Sequence, residues 1–356
     1  MLSATGSARI VGTMAKVIAM GEAGAVPSPD EGHPAVVAPT PAGAAPQHAA
    51  PPAQEVPAPE KTYKASIYQS CGPTLPPDFA KAAVALQASL KMPIWLLLQS
   101  GEGRFDSLDD SVVGALLAMK DELPEKQPVA LLLDSPGGYA KSAYQIGTIL
   151  RGHCGSYTVV VPRYAKSAAT LLSLGAKTIL LGKYAELGPL DAQFHDRDRE
   201  EPISALDEVQ ALERLHAFAL EAVDRTMFLM TPRTGKKIET LLPMVLHFGA
   251  DIARPLFEKL DAIHYTQMSR ALKVAEEYAV RLLQVHYNGD KAREIARHLV
   301  EKYPEHGFVV DAAECATFGL KTASTSPEQQ RMIEEMMPHL TRLNAVGTLK
   351  EVPPDA

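Results

Sequence analysis

Ser167 heads the small-residue stretch "YAKSAATLLSLGA", residues 164–176. An alcohol there can cap a helix by accepting an orphan N–H. It can also attack a carbonyl once a base takes its proton. Upstream, "LLLDSPGG" ends an apolar run in Gly137 and Gly138, just before a second helix-like stretch. Without a Cβ, such glycines let backbone N–H groups reach a ligand atom, and that arrangement binds an oxyanion. Read alone, the glycines are a tight strand-to-helix turn and the serine is a cap. Read together they are chemical. Both follow apolar strands, and successive parallel strands place their loops at one carboxyl edge of the sheet, where ligands of open α/β sheets bind. The N–H of Ala168 and a glycine N–H, from Gly137 or Gly138, then form the donor pair that acyl transfer requires.

The elements that must position these groups alternate. "PDFAKAAVALQASL" has apolar residues at helical spacing, "MPIWLLLQS" reads as a buried strand, and "LDDSVVGALLAMKDEL" reads as a helix with an acidic first turn. "QPVALLLDS", "SYTVVVP" and "KTILLG" are further strands, separated by the helices "YAKSAYQIGTILRG" and "AKSAATLLSLGA". Short apolar strands alternating with helices predict an α/β fold with a mostly parallel sheet. Beyond residue 202 the pattern turns helical, with the stripes Leu212, Leu215, Ala219, Val223, Met227 and Met268, Leu272, Ala275, Tyr278, Leu282. "HGFVVDAAECATFGL" reads as a strand, a turn and a helix returning to the core, and the last thirty residues as a loosely attached helix and tail. Ten of the 28 prolines fall in residues 24–59, which predicts an extended linker. The organisation expected is therefore tail and linker over 1–60, α/β core over 61–201, helical region over 202–325, and helix and tail over 326–356.

A net charge of −7 with a pI near 5.9 argues against nucleic acid or an anionic membrane as primary partner. No apolar run reaches the roughly 20 residues of a membrane span, and "ARIVGTMAKVIAM" lacks a continuous signal-peptide core. Cys71, Cys154 and Cys315 are widely spaced, with no Cys or His at metal-ligand spacing. A cytoplasmic protein is expected, with no metal site and no cofactor fingerprint.

"DSPGG", "YAKSAATLLSLGA" and "AELGPLDAQF", in this order and spacing, resemble the serine dehydrogenase proteinase family, which is similar to signal peptide peptidase A within the Clp protease and crotonase superfamily. "YTQMSRALKVAEEYAVRLL" and "YPEHGFVVDAAECATFGL" resemble it too, so the resemblance covers about residues 63–322. It implies a ClpP/crotonase-like ββα spiral core, Ser167 as nucleophile, Gly137 or Gly138 with Ala168 as oxyanion hole, and a homo-oligomer acting on a peptide or protein. The Clp-type histidine is missing: Leu187 and Gly188 stand where it would fall. Nor does the long helix after residue 202 supply the lysine of signal peptide peptidase A relatives. Lys166, Lys141 and His247 are the candidate bases, each with an ordinary alternative as a solvated or packed side chain. His195 sits in a charged loop and is expected to face solvent. Glu186, Gly188 and Asp191 in "ELGPLD" form a turn that would line the substrate groove or orient the base.

Three readings follow. A serine peptidase would form an acyl-enzyme on Ser167; a degenerate relative would bind peptide or protein without cleaving it; a crotonase-like acyl-CoA enzyme would use acidic catalytic residues instead. For the first, Gly138→Val is expected to impair turnover and spare the fold.

Overall fold

A computed structural model describes residues 61–100, 103–191, 193–194 and 203–353. The expected tail and linker over 1–60 and the loop containing His195 lie outside the described residues.

In chain order the elements are β1 (Thr62–Ala65), β2 (Tyr68–Gln69), α1 (Pro77–Leu90), β3 (Ile94–Gln99), α2 (Asp110–Met119), β4 (Val129–Asp134), α3 (Ala140–Cys154), β5 (Tyr157–Val161), β6 (Tyr164–Ala165), α4 (Ala168–Leu174), β7 (Thr178–Leu181), β8 (Glu186–Leu187), β9 (Gln193–Phe194) and β10 (Ile203–Ser204). There follow α5 (Ala205–Thr234), α6 (Ile238–Phe257), α7 (Ala262–Leu283), α8 (Gly289–Glu301), α9 (Ala312–Thr317), β11 (Ala323–Ser324), α10 (Pro327–Leu340) and β12 (Asn344–Val352).

The main sheet runs β1-β12-β3-β4-β5-β7-β11, with β2 also paired to β12. From β3 to β11 every pairing is parallel. All six residues of β3 and all six of β4 are buried, because helices cover both faces. Side chains alternate between two cores. Leu97, Leu131, Leu133, Val159 and Val161 share one with residues of α2, α3, α4, α7 and α8. Leu96, Leu98, Leu132 and Val160 share the other with residues of α1 and α10. Each leucine so buried contributes about 2 kcal/mol of transfer free energy.

The α/β class with a mostly parallel sheet is as the sequence indicates. The C-terminal segment is not. Residues 326–356 were expected as a loose helix and tail, yet β12 lies inside the main sheet, antiparallel to β1 and β3 with Val346 opposite Leu97. A glycine at φ +120, Gly347, interrupts its pattern, and a Cβ there would stand 2.4 Å from Ser66 Oγ, so the strand reads weakly in sequence although it completes the sheet. Residues 58–356 group as one unit. "HGFVV" supplies a single antiparallel bridge, Val310 to Leu187, instead of a strand. The helix α6 escaped the periodicity reading because Pro243 and Pro255 interrupt it.

Candidate active site

The two chemical loops meet at the carboxyl ends of β4 and β5. Ser135 N–H donates to Tyr164 O (3.1 Å) and Lys166 N–H to Ser135 O (3.0 Å), which lays residues 135–138 alongside 164–168. Below this seam the fully buried Asp134 receives Arg163 Nη2 at 3.1 Å, and that nitrogen also reaches Ser100 Oγ (2.6 Å). Burial pushes the Asp134 carboxyl up to about 6, an effect the adjacent guanidinium only partly offsets. This pair joins the loop roots four residues before Gly138 and four before Ser167.

Ser135 Oγ donates to Gln99 Oε1 (2.6 Å) and accepts Gly137 N–H (3.0 Å). The Gly137 donor is therefore spent inside the loop. Leu108 pins the outer side: its N–H donates to Gly137 O, and its carbonyl accepts Tyr139 N–H, both at 2.7 Å. Alternate backbone groups point opposite ways, so Gly138 N–H lies on the side away from Leu108. Among the described residues neither it nor Ala168 N–H carries a hydrogen bond. Gly137, at φ +110, is packed so closely that a Cβ would stand 2.7 Å from Lys166 O and 3.1 Å from Ala168 N. At Gly138, φ +145, a Cβ would fall 2.4 Å from Leu108 O. The expectation that Gly138→Val spares the fold is thus corrected: that position has no room.

Ser167 precedes α4 at φ +49 and ψ −117, a backbone region that costs a non-glycine residue about 1–3 kcal/mol. Its side chain caps nothing, which removes the capping alternative, and its partly exposed Oγ donates to Asp191 O at 3.4 Å. A strained serine turning out of a strand end into a helix can present its hydroxyl to a ligand at the sheet edge.

Residues 102–248 match the family of ClpP-like SDH-type serine proteinases. Two uncharacterised proteins of Methanocaldococcus jannaschii are similar to the chain. One is 26% identical over 217 residues, 60% of this chain and 59% of that protein; the other is 25% identical over 252 residues, 70% and 71%. The chain thus spans about 59% of the first relative's length. Among solved structures, a membrane-bound stomatin-specific protease aligns at TM-score 0.36 and 12% identity, covering 66% of this chain and 80% of its own. A ClpP1 variant from Listeria monocytogenes aligns at 0.22 and 16%, covering 44% and 81%.

The segment matching the ClpP-like proteinases contains all three candidate bases, and the structure brings none of them to Ser167 as a base. Lys166 is nearest in sequence, but its Nζ binds Glu186 Oε1 (2.8 Å), Leu187 O and Phe308 O (both 3.2 Å), so its three donors are engaged in holding the β8 turn. Lys141 is exposed on α3 and paired with Asp110 at 3.1 Å. His247 is exposed on α6 and faces Asp251, one helical turn on, at 3.4 Å. Of the three groove candidates, Glu186 is the Lys166 partner. Gly188 donates its N–H to Thr170 Oγ1 (2.9 Å), and a Cβ on it would strike the Lys166 side chain.

Asp191 does reach the site. It is 3% exposed, its carbonyl accepts the Ser167 hydroxyl, and its Oδ1 accepts Leu206 N–H (3.3 Å). Its Oδ2 stands 3.9 Å from Nδ1 of His306, a residue the sequence reading passed over. That Nδ1 is buried without a hydrogen-bond partner. Burial holds His306 below the usual histidine range; Asp191 opposes this and Lys166 adds to it. Burial likewise raises the Asp191 carboxyl, against hydrogen bonds from Ser204 and Leu206. The His306 segment is brought in by the Val310–Leu187 bridge and by Phe308 O on Lys166. No local spacing in the sequence links "YPEHGFVVDAAECATFGL" to Ser167. Among the described residues no cluster of His, Cys, Asp or Glu could hold a metal ion, and no helix is long and apolar enough to cross a membrane.

Proposed function

We propose that this chain is a serine peptidase in which Ser167 is the nucleophile, Gly138 and Ala168 N–H groups form the oxyanion hole, and His306, whose Nδ1 faces the Asp191 carboxylate, is the general base. One observation carries the reading: a strained, uncapped serine lies against a glycine loop whose remaining free donor is Gly138 N–H. His306 takes the Oγ proton as Oγ adds to a peptide carbonyl, and the oxyanion that forms accepts both N–H groups. The imidazolium then faces the Asp191 carboxylate, which stabilises it, and its proton passes to the leaving amine. Water, deprotonated in turn by His306, resolves the acyl-enzyme. Lys166 holds Glu186 and the His306 segment in place, so its role is positioning. The substrate class is a peptide or protein, and three free cysteines, two of them buried, fit a cytoplasmic setting.

A fluorophosphonate probe tests this on the purified protein. Stoichiometric labelling is expected to vanish in Ser167→Ala and to slow by about 10³-fold or more in His306→Gln. No labelling of the wild-type chain overturns the peptidase reading and leaves a peptide-binding protein.

A further inference from the structure

The strand β3 is apolar until its last residue. Gln99 is 1% exposed at the end of "IWLLLQ", and the fully buried Asn344 of β12 stands opposite it in register. An amide buried at the end of an apolar strand is costly unless its donors and its carbonyl are bonded. Both amides turn to one loop. Gln99 Nε2 donates to Phe105 O (3.0 Å) and Asn344 Nδ2 to Arg104 O (3.5 Å). Phe105 is held at φ +61, uncommon for a bulky side chain, with its buried ring edge-on to Tyr68 at 5.5 Å. Three residues on, Leu108 makes its two backbone bonds to the glycine loop.

Hydrogen-bond polarity passes from this loop to the glycines in one direction. A carbonyl only accepts, so Phe105 O faces the Gln99 amino group and the Gln99 carbonyl faces the other way. That carbonyl also only accepts, so the Ser135 hydroxyl spends its proton on it (2.6 Å) and keeps a lone pair for Gly137 N–H (3.0 Å). The peptide before Gly137 is thereby pinned at its N–H. The peptide after Gly137 is pinned at its carbonyl by Leu108 N–H (2.7 Å), and Gly138 N–H in the same plane points the opposite way. Gly137 and Gly138 lie at φ +110 and +145 with no side chain to resist rotation, so these bonds set the direction of the Gly138 donor. Without the Ser135 hydroxyl, the buried Gly137 N–H loses this partner, and the loop must turn to satisfy it.

We propose that Gln99 and Ser135 are positioning residues for the oxyanion hole, a relay that reads the Phe105 carbonyl and fixes the Gly137 peptide so that Gly138 N–H faces the developing charge. The inference rests on the donor role given to Gly138 above. Both side chains are sealed from solvent, so each acts through the backbone. Each therefore matters when charge forms on the carbonyl oxygen and not when the ground state binds. The relay also gives β12 a part in the site, because Asn344 steadies the carbonyl next to the one that Gln99 reads.

Saturation kinetics with a fluorophosphonate–rhodamine probe, whose phosphoryl oxygen takes up charge as Ser167 attacks, test this on the full chain. Ser135→Ala is expected to lower the maximal labelling rate about 10²-fold, with the half-saturating concentration within about threefold of wild type. Gln99→Met, nearly isosteric, is expected to lower that rate about tenfold. The double variant is expected to be no slower than Ser135→Ala, since Gln99 works through a hydroxyl that is already gone. Losses that multiply in the double variant overturn the relay, as does a loss confined to the half-saturating concentration or a wild-type rate in either single variant. If Ser135→Ala melts below the assay temperature, Gln99→Met decides alone by the same two readouts. Labelled wild type with unaffected variants overturns this proposal by itself. A wild type that takes no label overturns the peptidase reading first, and the relay falls with it.

Discussion

At the rim of the sheet, Gln99, Ser135, Gly137, Lys166 and Ser167 sit in a mesh of short backbone and side-chain hydrogen bonds over the buried Asp134–Arg163 pair. In the α5–α6 hairpin, α6 buries Leu241, Val245, Gly249 and Ala253, and large apolar side chains of both helices remain exposed. The rim is stiff because buried polar groups are costly unless every partner is in place, so each bond restricts the next. That stiffness holds Ser167 at φ +49 against its own preference. The hairpin owes its form to helix propensity, its own seam and the packing of α5 against α7, with no comparable mesh of buried polar bonds among the described residues. Substitutions should therefore act on chemistry at the rim and on local opening in the hairpin.

The largest effect that tests this contrast is on proton transfer. His306→Gln is expected to lower kcat/KM by about 10³-fold. In the wild type, kcat/KM is expected to fall with acidity as His306 gains a proton, and burial is expected to move that limb below the usual histidine range. Asp191 raises the histidine and Lys166 lowers it. Residual activity of Asp191→Asn is thus expected to lose its acid limb at lower pH, and Lys166→Met to shift it to higher pH. A pH profile that none of the three changes would remove His306 from the chemistry.

Gly138→Ala comes next. Its Cβ would meet Leu108 O at 2.4 Å in a backbone conformation that L residues avoid, so about 2–4 kcal/mol of stability and about 10²-fold in kcat/KM are expected to go together, read by denaturant melts and steady-state rates. Ser167→Gly separates the two quantities. It removes the proposed nucleophile and relieves the positive φ, so activity is expected to vanish while stability rises by about 1 kcal/mol, seen as a melting temperature higher by a few degrees. Gly249→Val carries the contrast to the hairpin. Its side chain crowds Val223, so hydrogen exchange along α5 and α6 is expected to quicken, by an opening free energy about 1–2 kcal/mol lower, with fluorophosphonate labelling within twofold of wild type.

The fold class was legible because it rests on local patterns: β3, β4 and β5 are continuous apolar runs, and only strands buried on both faces read that way. The pairing of "PGG" with "KSA" was legible too, since strand order places both loops at one edge. Three things were not. The strand β12 carries a glycine and lysine-bearing half that resembles a tail, and its place depends on partners near residues 62 and 97. The proposed choice of Gly138 over Gly137 rests on the Gly137 N–H bond to Ser135 Oγ, which no spacing encodes. His306 faces Asp191 from a distant segment, carried there by a single bridge to Leu187. Periodicity and loop chemistry are properties of neighbouring residues, and the sequence settles them by itself. The approach of His306 to Asp191 is a property of segments that meet only when loop-closure entropy has been offset by core burial, and the tertiary structure alone decided it.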